Sequence, residues 1–310
     1  MAEWEKLRIL GKGSSAIVYL AAMVAPQECI GNVVAVKSSM PLSIGSLMRE
    51  ENIMRSLIGC EEFIQCYFGQ FTIEKGEFIY NLVMEFAPYG SLRDLIRKGP
   101  LLESEARIYT IMLLKGLSCI HQAGVVHCDL KPDNILLFPS SKNDAKYQLK
   151  IADFGLSKTK EEIINAESWN FKFRGTPLYM SPESVKGQIE TSLDIWSLGC
   201  IVIEMITGLY VWRNPPTSKE MIPTIDEMMY KLAVLEEAPM IPNGVSEDCR
   251  DFLTKCFIKN PSQRWTASKL LHHPFLFSPY DSFRGYERFH MVNSSSSFFS
   301  YDCNWLSFKS

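Results

Sequence analysis

Val125–Leu137 reads VVHCDLKPDNILL, two aspartates, a lysine and an asparagine between two apolar runs. Apolar runs belong to cores and bare carboxylates do not. The stretch therefore predicts a loop that presents polar chemistry from a rigid apolar wall. A second such place follows 24 residues after Asp129: Asp153, in KIADFG, where a strand ends at a glycine.

The residue types in these two places match one chemistry. Mg2+ takes oxygen ligands and commonly uses one or two carboxylates beside substrate phosphates. Asp153 and Asn134 fit that role. Asp129 is then the acceptor of a hydroxyl proton, and Lys131 screens a transferred phosphoryl group.

Near the N-terminus, GKGSSAIV (Gly11–Val18) sets two glycines between strands. Gly11 and Gly13 would let backbone N–H groups approach a phosphate, though a plain hairpin reads the same way. Lys37, in VAVK, lies 24 residues after Gly13 among β-branched residues. An inward lysine is costly without an anionic partner. Glu50 supplies one, since Ile53, Met54 and Leu57 follow it at i+3, i+4 and i+7. Glu51, the neighbouring alternative, lacks that register. Lys37 would hold phosphates while Glu50 holds Lys37.

The 310 residues are 46% hydrophobic, with a net charge of −3. That supports a sizeable core in one large or two medium domains. No long basic run appears, so nothing calls for nucleic acid. The nine cysteines are odd in number and contain no C-x-x-C pair. Reduced thiols in a cytoplasmic or nuclear protein are expected. The N-terminus has no apolar signal core. The most apolar stretch, LGCIVIEMITGL, is short and broken by Glu204, so no membrane insertion is expected.

Residues 4–85 predict strands: two around the glycine turn, one at NVVAVKSS, and two flanking the turn EKGE. A helix interrupts them at IGSLMREENIMRSLIG. After APYGS, helical periodicity takes over in LRDLIRKG, ESEARIYTIMLLKGLSCIHQAG and the very apolar SLDIWSLGCIVIEMITGL. Short strands sit around NILL and QLKIADF. ESEAR carries a capping-box pattern, and NPSQRWTASKLLHHPF predicts a terminal helix stopped by Pro274. The outline is a small β-rich lobe, a hinge near 85–90 and a larger helical lobe. The Ser-rich segment from about Ser278 predicts disorder. Its Phe, Tyr and Trp residues leave docking onto the domain or a partner open.

Taken together these motifs resemble a eukaryotic protein kinase domain, from about Glu3 to Phe277. GKGSSAIV resembles the Gly-rich loop, VAVK the lysine strand, HCDLKPDN the catalytic loop and SPE the A-P-E motif, while DFG matches outright. The resemblance implies an α+β, bilobal kinase fold. Its parts would be an N-lobe over 1–87, a C-lobe over 88–277 and a C-terminal tail over 278–310. It implies ATP and Mg2+ as cofactors, with Asp129, Lys131, Lys37 and Asn134 catalytic. Adenine would lie between Leu10, Val18, Ala35 and Leu136, with Met84 behind it. Backbone groups of Glu85 and Ala87 would bind its edge, and Ser91 would reach the ribose. Glu183 would pair with Arg264, and Asp194 would tie the catalytic loop to the long apolar helix.

Lys131 and Thr176, in GTPLYMSPE, resemble the Ser/Thr group. EFIQCYFG, VVHCDLKPDNILLF and RGTPLYMSPE are similar to compact plant mitogen-activated protein kinase kinase kinases. That resemblance implies a protein substrate, a mitogen-activated protein kinase kinase. It says nothing of oligomeric state. A kinase-fold scaffold without activity is the alternative, and the complete set Lys37, Glu50, Asp129, Asn134 and Asp153 weighs against it. A receptor kinase cut from its ectodomain is a third reading, disfavoured by the start at Met1 and the missing span.

Two positions depart from the family pattern without much consequence: Ala16 replaces the third glycine of the loop, and Ser181 opens the A-P-E motif. Cys128 matters more. It stands where most members have an arginine that pairs with a phosphate on the activation segment. Activity is therefore expected to depend weakly on phosphorylation there, with Thr159 and Ser168 as candidate sites. A small buried thiol is the expected state of Cys128.

Overall fold

The computed structural model describes residues 4–24, 32–140, 145–164, 175–212 and 224–277. Strands β1 (Trp4–Lys12), β2 (Ala16–Met23) and β3 (Val33–Ser39) are followed by helix α1 (Ile44–Ser56), then β4 (Cys66–Glu74) and β5 (Glu77–Glu85). They form an antiparallel sheet ordered β1-β2-β3-β5-β4. The EKGE turn closes β4 on β5 with positive φ at both central residues, 53° at Lys75 and 85° at Gly76. That backbone matches the twist of the flanking strands.

The second lobe runs through α2 (Leu92–Ile96), α3 (Glu103–Gln122), β6 (Val125–Val126), β7 (Ile135–Pro139), β8 (Tyr147–Ile151), β9 (Lys158–Thr159) and α4 (Lys160–Ile164). It continues through α5 (Pro182–Val185), α6 (Ser192–Thr207), α7 (Ile225–Tyr230), α8 (Glu247–Cys256) and α9 (Ala267–Leu270). Two short ladders, β6–β9 and β7–β8, carry the loops between them. The bilobal α+β expectation holds. The candidate tail 278–310 lies outside the described residues.

Two sequence expectations are corrected in detail. The terminal helix is a single turn, α9, capped by Thr266. A separate 3-10 turn, Pro274–Leu276, follows. Proline disfavours helical backbone at the residue before it, so the chain turns at His273 instead of continuing. The capping box of α3 is half made. Glu105 accepts from the Leu102 backbone N–H at 3.3 Å, but Leu102, at the N-cap, has no side-chain oxygen to return the bond.

Period-2 alternation in β3 sorts its side chains. Val34 and Val36 join Ala21, Met23 and Val83 in a small outer core. Ala35 and Lys37 therefore share the opposite face. On that side one apolar core runs unbroken from Leu47, Ile53 and Met54 through Leu82 and Met84 to Trp196 and Phe252. Helix α6 is buried over Ser192–Met205, as a helix apolar all round must be. Glu204, which breaks its apolar run, accepts from Arg93 at 2.9 Å and from the Tyr179 hydroxyl at 3.1 Å. No described helix is long and apolar enough to cross a membrane. The seven described cysteines are free thiols.

The expected pair Glu183–Arg264 is present and buried. The guanidinium is bidentate to the carboxylate and also donates to the Ser192 carbonyl at 2.9 Å. Removing one partner strands a buried charge, which costs about 3–5 kcal/mol. Arg264→Ala should therefore lower unfolding stability by about that amount in urea titration, whereas a loss under about 1 kcal/mol would mean the pair is solvated.

Candidate active site

Lys37 is the centre of the cleft. Its Nζ donates to both Glu50 carboxylate oxygens, at 2.8 and 2.7 Å, and to Asp153 Oδ1 at 2.9 Å. Burial lowers the lysine pKa, but Glu50 and Asp153 more than offset this and hold it above its ordinary value. Lys37 is thus a fixed cation. The buried Glu50 carboxyl is pushed up by burial while Lys37 pulls it back. Lys37 pulls Asp153, a half-exposed carboxylate, down to about 2. Glu51, the alternative partner, instead accepts from Arg55 and the Tyr80 hydroxyl.

Asp129 sits at the other wall. Lys131 Nζ donates to its Oδ2 at 2.8 Å, and Thr176 Oγ donates to its Oδ1 at 2.8 Å. Lys131 also reaches Thr176 Oγ at 2.8 Å, closing a triangle. Asn134 Nδ2 donates to the Asp129 carbonyl at 2.9 Å and to Oδ2 at 3.3 Å. The amide nitrogen of Asn134 is thereby committed, and its oxygen is the end left to act as a ligand.

The loop carrying Asp129 is held from beneath. Asp194, fully buried on α6, accepts from the backbone N–H of His127 at 2.9 Å and of Cys128 at 3.0 Å. His127 Nδ1 accepts from the Asp129 N–H at 3.3 Å, so its proton lies on Nε2, which donates to the Ala152 carbonyl at 3.1 Å. One imidazole therefore links the Asp129 loop to the strand leading into Asp153. Both loops carry a left-handed residue, Cys128 at φ 68° and Asp153 at φ 65°. Non-glycine residues adopt that backbone at a cost that surrounding bonds must cover.

Strand pairing sets several of the residues predicted to enclose adenine side by side. In register, Val18 lies opposite Lys37, and Ala35 opposite Met84. Leu136 on β7 bridges Ser91, and Leu137 N–H donates to the Gly90 carbonyl at 2.9 Å, so the hinge is stitched to the lower wall. Leu10 remains 38% exposed beside the glycine loop. A Cβ at Gly11 would meet nothing within 4 Å, and one at Gly13 only the Ala16 carbonyl at 3.5 Å. Among the described residues, side chains therefore leave the space beside both glycines open. Ala16 buries its methyl, at 4% exposure. Two residues are more occupied than expected. The Glu85 N–H donates to Gln65 at 3.0 Å, so a ligand edge would meet Glu85 through its carbonyl. Ser91 caps α2 and its hydroxyl donates to Asp94 at 2.8 Å, so a ribose would share it. Ala87 is half-buried two residues beyond Glu85.

Among the described residues no three His, Cys, Asp or Glu side chains gather as a metal cage. The donors Asn134 and Asp153 suit instead a cation that takes two protein oxygens and completes its shell with phosphate and water. Sequence reasoning missed the part played by the Thr176 hydroxyl, the His127 bridge and the Arg93–Glu204–Tyr179 network. The motif GTP held the first; nothing local marks the others.

A family model described as protein kinase domain matches residues 4–276. Mitogen-activated protein kinase kinase kinase 20 of Arabidopsis thaliana is 38% identical over 278 residues, 88% of this chain and 78% of the relative. Mitogen-activated protein kinase kinase kinase 17 of the same plant is 38% identical, covering 88% and 69%. Mitogen-activated protein kinase kinase kinase A of Dictyostelium discoideum is 35% identical over 89% of this chain and 28% of its own length.

Lys37→Met removes the cation and keeps the apolar stem, so turnover should fall at least about 100-fold, with the melting temperature within a few degrees of the parent. Parent-like turnover would show that Lys37 has no part in the chemistry. Asp153 titrates in the fold below the ordinary aspartate value of ~3.9. Its ion-pair contribution is therefore complete above about pH 4 and is lost only as pH falls through about 2. A pH–rate profile should show no acid limb from Asp153 between about pH 5 and 8.

Proposed function

The chain belongs to the protein kinase family and is a Ser/Thr protein kinase, and from that premise we propose that it phosphorylates a mitogen-activated protein kinase kinase, using ATP with Mg2+. The observation that carries the substrate class is identity of 36–38% over most of the chain to three plant mitogen-activated protein kinase kinase kinases. The geometry supports the chemistry. Phosphoryl transfer asks a protein mainly to align groups and neutralise charge.

In this reading Lys37, fixed by Glu50, neutralises nucleotide phosphates, and the glycine loop covers them with backbone N–H groups. Mg2+, when bound, would shield the phosphate charge. Asn134 Oδ1 and the Asp153 carboxylate are the groups that would hold it. Val18, Ala35, Met84 and Leu136 enclose the base, with Leu10 over it. Asp129 accepts the proton of the substrate hydroxyl, and Lys131 stabilises the charge that develops nearby. The Thr176 hydroxyl holds one oxygen of the Asp129 carboxylate in place. A scaffold free of catalysis would have no need of this assembled set. Cytoplasmic or nuclear residence belongs to the same proposal, resting on reduced thiols.

The test is transfer of radiolabel from ATP to a panel of purified, inactivated mitogen-activated protein kinase kinases. The parent should label at least one of them on Ser or Thr, and Asp129→Asn should label it at least about 100-fold more slowly. Equal labelling by parent and variant, or labelling of general substrates with none of the panel, would overturn the assignment.

A further inference from the structure

Among the described residues after the Asp153 turn, contacts that involve no phosphate fasten the segment to the rest of the fold, and two of them hold α4. The first is ionic. Arg49 of α1, adjacent to Glu50, is bidentate to the Glu162 carboxylate on α4. It also donates to the Ser157 carbonyl at 2.5 Å. Glu162 accepts from the Thr159 backbone N–H at 3.0 Å as well. Arg49 in particular pulls the Glu162 carboxyl down to about 2, against partial burial, so it is fully ionised at neutral pH. The second contact is apolar. Val126, Cys128 and Leu193 form a small buried cluster on which Ile163, the residue after Glu162, packs. Cys128 is thus the buried thiol expected, and it faces a hydrocarbon neighbour where an arginine would face an anion.

These observations converge on α1. A helix that must keep Glu50 on Lys37 is held at the preceding residue by a carboxylate from the segment below it. Bidentate guanidinium–carboxylate pairs are among the stronger and more directional contacts available to side chains. Ser157, whose carbonyl Arg49 also takes, is itself buried and donates from Oγ to the His127 carbonyl at 3.2 Å. The chain of contacts therefore runs from α1 through the segment to the Asp129 loop. We propose that Glu162 acts as a built-in anion that takes the place of an activating phosphate, with Arg49 and Glu162 as positioning residues that set the Lys37–Glu50 pair. The proposal rests on the kinase reading and adds how this chain reaches its working arrangement.

Thr159 has a different part. Its Oγ accepts from the Glu162 backbone N–H at 3.4 Å, capping α4. A phosphate there would sit beside the Glu162 carboxylate and compete for Arg49, so it should not raise activity. Ser168, the other candidate site, lies outside the described residues.

The test uses the full chain, treated with phosphatase, and a general protein substrate. Arg49→Glu and Glu162→Arg should each lower kcat at least about tenfold while KM for ATP moves less. The combined variant should recover to within about threefold of the parent, since opposite charges are restored. Thermal melting of each variant shows that it is folded. If either single variant does not fold, Glu162→Gln decides, with a loss of kcat of at least about threefold expected. The proposal is overturned if folded single variants keep the parent kcat, if the combined variant is no better than the singles, or if phosphatase treatment alone removes parent activity. An untreated parent with no activity on any substrate would count instead against the kinase reading.

Discussion

The whole arrangement depends on a buried ammonium with two carboxylates around it. Lys37 comes from the sheet, Glu50 from the helix behind it and Asp153 from the turn across the cleft. Lys37 or the buried Glu50 alone would be expensive to withdraw from water, and together they are tolerable. The geometry of the pocket follows from that requirement. The helix cannot swing out without leaving Lys37 short of a partner. The Asp153 turn cannot move without uncovering the other side. One cation thereby fixes the relative positions of three elements far apart in the chain.

The lower wall applies the same logic to backbone groups. The loop around Asp129 includes a left-handed cysteine, and such a loop leaves N–H groups unpaired. Asp194 supplies both acceptor oxygens from inside a buried, mostly apolar helix. His127 carries the link onward by using its two ring nitrogens in opposite senses. Asp194 and His127 are tolerable inside the core because both polar atoms of each are hydrogen-bonded. They convert a loop into a rigid mount for a carboxylate.

Much of this was legible in the sequence, and the reasons differ by element. Strands and helices such as α3 declare themselves by period and turn signals, and α6 by its long apolar run. Glu50 was separable from Glu51 by helical register, and its neighbour indeed turned to Tyr80 and Arg55. The motifs around Asp129 and Asp153 pointed to phosphoryl transfer, which is the chemistry of the family the chain belongs to. Tertiary bonds were not legible. Nothing near Arg93 signals that Glu204 lies 111 residues away on a neighbouring helix. Ser91 looked like a ribose ligand because its local signal, a serine before a helix, is shared with capping. The short terminal helix was overestimated for a similar reason, since apolar spacing persists through turns that no longer hydrogen-bond as a helix.

The unbroken core beneath the cleft has a consequence for how the molecule comes apart. The apolar face of the sheet and α1 is completed by residues from beyond the hinge, so the first 87 residues expressed alone would expose a hydrocarbon surface in want of a cover. Cut at the hinge, the two fragments have every reason to find each other again, and heat should melt them as one cooperative body.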